Sequence, residues 1–301
     1  MISKVNQKAG MFPVLKQSIR DFIEDDCTTG AAALSYYTVF SLPPLLVLLL
    51  LLAGMLLDPN DVRGGLERQI DALMGPAGGE QVRAILAHAE RPGGGLVATL
   101  VGIAAMLFGA TGAFAQLQSA LNRAWEVEPD PAQGGMRNFL LKRLMSFGMI
   151  LTIAFLLLVS LVVSAVLSAF GDTLASYLPQ GLSAPVLQGV NLALSLGVIG
   201  ALFALMFKVV PDATMRWRDV WVGALVTAVL FSAGKFLIGL YIGKADPGEA
   251  FGAAGSLALL LLWIYYSSII VLFGAEFTQA WAESRGREIG PEPGARRIVE
   301  T

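Results

Sequence analysis

AAALSYYTVFSLPPLLVLLLLLAGMLL, residues Ala31 to Leu57, contains no Asp, Glu, Lys or Arg. A helix rising about 1.5 Å per residue needs about 20 residues to cross the roughly 30 Å hydrocarbon core of a bilayer, and this stretch exceeds that length. It reads as a membrane span. Five further apolar windows of similar length and free of acidic residues, except for Glu276 in the last, follow at Leu96 to Leu121, Leu144 to Phe170, Gln188 to Phe207, Val220 to Tyr241 and Ser256 to Trp281. The expected architecture is an all-α polytopic bundle of six transmembrane helices. Composition agrees: of 301 residues 55% are hydrophobic and only 15% charged, against roughly 25% charged in soluble domains.

The charges that remain are unevenly placed. Fifteen of the 21 Lys and Arg residues fall in the amino-terminal segment, the second and fourth connections and the tail, five in the other connections, and Lys235 inside a span. Basic loops stay on the cytoplasmic side, so both termini are expected there. The chain divides into a cytoplasmic amphipathic segment over 1–27, a transmembrane domain over 28–282 and a flexible basic tail over 283–301. In the first segment Phe12, Leu15, Ile19, Phe22 and Ile23 recur at helical spacing, as in a helix lying on the inner membrane surface or one packed under the bundle. Asp25, Asp26 and Thr28 then stand where a helix start wants capping groups. In the first outer connection, stripes at Leu66, Ile70, Leu73 and Met74 and at Val82, Ile85, Leu86 and Ala89 predict two short amphipathic helices, with His88 solvated.

Composition also excludes chemistries. With one Cys (Cys27) and one His (His88), neither an intramolecular disulfide nor a His-built metal cluster can form within one chain. No cofactor is implied. A formal charge of −2 gives no overall basic field for nucleic acid. Ser232-Ala-Gly-Lys235 is no phosphate loop, because Val229 occupies the place of the first required Gly and the segment lies in the membrane.

Polar groups at membrane depth are costly and therefore informative. Span one carries Ser35, Tyr36, Tyr37, Thr38 and Ser41, then Pro43 and Pro44, whose missing amides leave the carbonyls of Val39 and Phe40 without donors. A broken first span is expected, either as a substrate site or as a plain kink. Counting inward at about 1.5 Å per residue puts Tyr36, Tyr37, Gln116, Gln118 and Glu276 in one inner polar layer, and Lys235 about 18 Å from Glu276 in depth. No direct salt bridge between those two is expected. Glu276 would meet Arg123, Lys208 or Arg216, and Lys235 would reach outward to Asp246 or Glu249. Small-residue stripes, including Ala224, Ala228 and Ser232 in span five, would let backbones approach closely.

Several stretches resemble the YihY/BrkB family of bacterial inner-membrane proteins, historically also labelled ribonuclease BN-like. They are Ala31-Ala-Ala-Leu-Ser-Tyr-Tyr37 with Ser41-Leu-Pro-Pro44, Leu121-Asn-Arg-Ala-Trp125, Val210-Pro211 ahead of Trp217 to Gly223, Phe251-Gly-Ala-Ala-Gly-Ser256, and Leu262-Trp-Ile-Tyr265 leading to Gly274-Ala-Glu276. Phe251 stands where the family often has Tyr, so no hydroxyl is carried there. The resemblance implies six spans in a bacterial inner membrane, in a family linked to envelope integrity, serum resistance and proposals of lipid or ion transport. The nuclease label fails on chemistry, because no cluster of His and carboxylate ligands and no basic RNA channel can be assembled from this chain.

The leading expectation is a transporter or flippase-like protein, not driven by ATP, for an amphipathic, lipid-like envelope component. Its pathway would use Tyr36, Tyr37, Ser41, Pro43, Pro44, Gln116, Asn122, Lys235 and Glu276. Lys235 would attract an anionic headgroup and Glu276 would bind a proton or monovalent cation. Two alternatives stay open: a monovalent cation/proton antiporter, and a non-transporting scaffold for envelope assembly. In none of these is the protein an enzyme, and its expected partners are membrane lipids rather than nucleic acid.

Overall fold

The computed structural model describes residues 10–54, 64, 112–130, 183–245 and 255–298. The expected third span, the outer-connection helices with His88, the outer part of span two, and Asp246 and Glu249 lie outside the described residues. Six helices carry the described fold: α1 (Met11–Glu24), α2 (Cys27–Gly54), α3 (112–124), α4 (Ser183–Val209), α5 (Trp217–Ala245) and α6 (Gly255–Glu283). At 29 residues each, α5 and α6 extend roughly 43 Å, more than a hydrocarbon core requires. Their segments Trp217–Ile238 and Leu257–Glu283 are long and apolar enough to cross a membrane.

The first helix corrects an expectation. α2 runs unbroken from Cys27 to Gly54, through Pro43 and Pro44. Proline removes only its own amide and crowds the preceding turn, and a long apolar helix absorbs this without ending where lipid leaves its other carbonyls no alternative partner.

α6 is the hub, with α1, α2 and α5 packed on it and α4 packed on α5. The contact between α5 and α6 is reciprocal. A Cβ placed on Gly223 would collide with Thr278, and one placed on Gly274 would collide with Thr227. Each threonine caps its own helix's glycine carbonyl, Thr227 Oγ1 donating to Gly223 O at 2.8 Å and Thr278 Oγ1 to Gly274 O at 2.7 Å. Two Gly-x-x-x-Thr segments thus interlock with both hydroxyls satisfied internally, the close approach that small residues permit between helices in lipid. Ala224 and Ala228 are fully buried, and Ala228 packs toward Gly200 of α4, as their stripe predicts.

On its outer side α5 shows Trp217, Trp221, Leu225 and Val229 at four-residue spacing, each about half exposed, and Phe236 exposed further along. A stripe this apolar is costly in water and costs nothing against acyl chains.

The tail is also corrected. Past Glu283 it is not a free basic end: β3 (Gly290–Pro291) pairs antiparallel with β2 (Ala213–Thr214), and β4 (Ala295–Arg297) with β1 (Val127–Pro129). Glu128 stands opposite Arg296 and the two form an exposed ion pair. Arg287 pairs with Asp219, a buried carboxylate in the first turn of α5. Backbone hydrogen bonds and this sequestered pair give the tail partners that its composition conceals.

Candidate functional site

The end of α1, the start of α2 and the residue that follows α3 converge on α6 around Glu276. This side chain is fully buried. The Cys27 thiol, at the first residue of α2, donates to its Oε1 at 3.3 Å, and among the described residues its Oε2 meets no amide, hydroxyl or thiol donor, the Asp25 carboxyl being its neighbour. Asp25, whose carboxyl approaches Glu276, sits at the carboxyl end of α1, where its amide donates to Asp21 O at 2.8 Å. It therefore closes α1 rather than opening α2. Asp26 makes the turn between the helices with a left-handed φ of 50°, a conformation tolerated by Asp more than by most residues, and its carboxylate accepts the Thr29 hydroxyl at 3.0 Å.

This arrangement differs from the expected pairing of Glu276 with Arg123, Lys208 or Arg216. Lys208 Nζ instead donates to the Met215 carbonyl at 2.8 Å, and Arg123 acts on the neighbours of Glu276, its charge opposing the upward shift of Asp25. Burial pushes the Asp25 carboxyl up to about 6, and the Glu126 carboxylate adds to the rise. The absence of a direct Glu276 to Lys235 pair agrees with the depth count: Gly234 lies against the Tyr266 hydroxyl, ten residues and about 15 Å along α6 from Glu276.

A second polar cluster adjoins the first. Asn122, buried near the end of α3, donates through Nδ2 to Asp212 Oδ2 at 2.9 Å and accepts the Asp212 amide on Oδ1 at 2.8 Å. Gln118 Nε2 adds a longer bond to Asp212 Oδ1 at 3.3 Å. One turn after Asn122, the buried Trp125 donates from Nε1 to the carbonyl of Ala275, the residue beside Glu276, at 3.1 Å. The segment Leu121 to Trp125 therefore ties the connection between α4 and α5 to α6.

The remaining candidates spread along α2 and α5. Ser41 is buried and its Oγ accepts the Ala113 amide at 3.2 Å, holding α2 to α3. Tyr36 and Tyr37 are exposed and packed edge to face, with Phe40 against Tyr36. Nine residues separate Cys27 from Tyr36, about 14 Å along a helix, so the single inner layer expected for Tyr36, Tyr37 and Glu276 divides into two levels. The cause is register: Cys27 meets Glu276 and Gly30 meets Leu272, while Val39 packs in one cluster with Leu260 and Ile264. Gln116 is half-buried on α3, and Lys235 is exposed on α5. The side chains of Pro43 and Pro44 lie outside the described residues.

Three members of these clusters escaped the sequence reading. Asp212 follows Val210-Pro211 and is revealed only by the Asn122 clamp. Cys27 and Asp25 precede the first apolar run, where nothing local connects them to a carboxylate some 250 residues away. Among the described residues no group of three or more His, Cys, Asp or Glu side chains is arranged to hold a metal ion. What the Glu276 cluster offers is a fully buried carboxyl group paired with a second, half-buried carboxyl, with a thiol as the one fixed donor among the described residues.

Comparison with known proteins gives the same class. The family model described as virulence factor BrkB matches residues 18–299. The chain is 30% identical over 266 residues to a UPF0761 membrane protein of Pseudomonas paraeruginosa, covering 88% of this chain and 61% of that one. It is 31% identical over 290 residues to a UPF0761 membrane protein of Alkalilimnicola ehrlichii, covering 92% and 61%. With a homologue from Alteromonas mediterranea identity is 28% over 263 residues, covering 87% and 85%. The chain thus spans about three fifths of the length of the first of these relatives. No solved structure matches. Apolar helices, lipid-compatible outer faces and membrane-protein relatives make this a helical membrane protein. A family match over nearly the whole chain settles its kinship: it belongs to the BrkB family.

Proposed function

We propose that the protein is a six-span transporter or flippase-like protein of the bacterial inner membrane, with both termini cytoplasmic, moving an amphipathic, lipid-like envelope component without ATP and without enzymatic chemistry. The observation that carries this reading is Glu276, fully buried, with the Cys27 thiol on one oxygen and a second carboxyl, Asp25, as its neighbour. A scaffold gains nothing from a buried carboxyl that has no ion-pair partner among the described residues, whereas a transporter uses such a group to take up and release a small cation or proton. The exposed aromatic face of Tyr36, Tyr37 and Phe40 suits a substrate that is part apolar and part polar. Lys235, exposed at another level, would draw an anionic headgroup.

The same carboxyl supports a second reading, a monovalent cation/proton antiporter. Purified protein in sealed vesicles distinguishes them when assayed for lipid scrambling and for cation/proton exchange. Lipid movement lost in Glu276→Gln at equal protein abundance is the expected result. Exchange without lipid movement establishes the antiporter, and movement of neither removes transport in favour of a scaffold.

A further inference from the structure

The amino-terminal helix α1 has three distinct faces. Val14 and Ser18 are buried, Val14 clustering with Phe277 and Ala280 of α6 and with the flanking Val222, Val226 and Trp281. Phe22 continues this packing face, its ring edge-on to Phe273 at 6.1 Å. At 100° per residue, Phe12, Leu15, Ile19 and Ile23 fall within about 80° of one another on a separate face. All four are exposed, Phe12 by 78% and Ile23 by 72%. Lys16 and Arg20 border that apolar face on the side away from the bundle, and both are exposed. Arg20 holds Glu24 at 2.8 Å.

The level at which α1 sits is marked independently. Trp217 and Trp221, half exposed, open α5, and Trp281 near the end of α6 carries the Arg285 guanidinium 3.4 Å from its ring centre. Tryptophans of this kind gather at the boundary between acyl chains and water. Val14 shares a cluster with Trp281 and Val222, so α1 lies at the level of these tryptophans.

We propose that α1 is a binding surface for anionic phospholipid: its Phe12, Leu15, Ile19 and Ile23 face enters the acyl-chain boundary while Lys16 and Arg20 engage headgroup phosphates. Charge complementarity selects lipid over a second copy of this chain, since antiparallel pairing of two such faces would set Lys16 and Arg20 of one copy against those of the other. A phosphate also competes with Glu24 for Arg20, an exposed pair of little intrinsic strength. This inference is independent of transport, because it concerns the outside of the molecule.

The test uses the full chain with Cys27→Ala and a bimane label on Phe12→Cys, reconstituted in vesicles containing either brominated phosphatidylglycerol or brominated phosphatidylcholine at equal fraction. Quenching by both is expected, stronger with phosphatidylglycerol, and Lys16→Gln is expected to reduce the preference about fivefold, the scale of one basic residue near an anionic surface. A label on Gln17→Cys, on the polar side, stays unquenched. Ile19→Cys repeats the measurement should the first variant fold poorly. A quenched Gln17→Cys label, an unquenched Phe12 label, equal quenching by the two lipids, or shielding that disappears when the protein is diluted in lipid, as for a second copy, overturns the proposal.

Discussion

Two faces of α6, only a few residues apart, solve the problem of polar groups in a dry setting in opposite ways. Toward α5, Gly274 and Thr278 interlock with Gly223 and Thr227, and each hydroxyl returns to a carbonyl of its own helix. Toward α2, Glu276 has a thiol on one oxygen and, among the described residues, no fixed donor on the other, only the neighbouring Asp25 carboxyl. The first face is built to stay closed. The second keeps binding capacity in reserve, and the contrast separates residues that pack from those with chemistry left over.

The largest effect should come from filling the closed face. Gly274→Val is expected to lower stability by about 3 kcal/mol, since overfilling a tight contact forces backbone or rotamer shifts. Thr227→Gly in the same chain, which removes the Cβ along with the hydroxyl and methyl that a side chain on Gly274 would meet, should recover part of the loss in thermal unfolding of the purified protein. No recovery would mean that the clasp is not what holds α5 to α6.

The open face should respond in the other direction. Glu276→Gln keeps shape and removes a group that is charged when ionised and has no ion-pair partner among the described residues, so stability is expected to hold or to rise by about 1 kcal/mol while transport, measured as above, falls. A large destabilisation would make Glu276 another packing residue and erase the distinction between the faces.

The smallest effect is a pH slope. Burial, then Glu126, raises Asp25 in the folded protein from 3.8 to about 6, so the folded state binds the extra proton over that interval. Its contribution to stability is complete below about pH 4 and is lost as pH rises through about 6. Asp25→Asn should flatten this part of the stability profile, measured by unfolding between pH 4 and 7. An unchanged profile would place the slope elsewhere.

Individual residues show what could be read beforehand. Glu276 stood out because an acid inside an apolar window is rare, and Ala224 and Ala228 because small residues at helical spacing signal a contact. The depth of Lys235 relative to Glu276 followed from rise per residue alone. The partner of Glu276 did not, because Cys27 lies 249 residues away and register between neighbouring helices is set by how side chains fit, not by where hydropathy begins. The same error merged Tyr36 with Glu276 in one layer. Pro43 and Pro44 misled differently, since local donor loss was counted without the penalty that lipid places on ending the helix there. The tail's charges suggested a free end because strand pairing with Val127–Pro129 and the Arg287 to Asp219 contact have no local signature.

The sequence by itself determined that this chain is a helical membrane protein and which ionisable groups fall inside its apolar stretches, because transfer from water to lipid acts on each residue nearly independently of its neighbours. Tertiary structure decided how the polar groups are partnered: the Asn122 clamp on Asp212, the Gly and Thr interlock, and the meeting of Glu276 with Cys27 and Asp25. Hydrogen bonds and close packing depend on distances between residues far apart in the chain, and only the packed helices fix those distances.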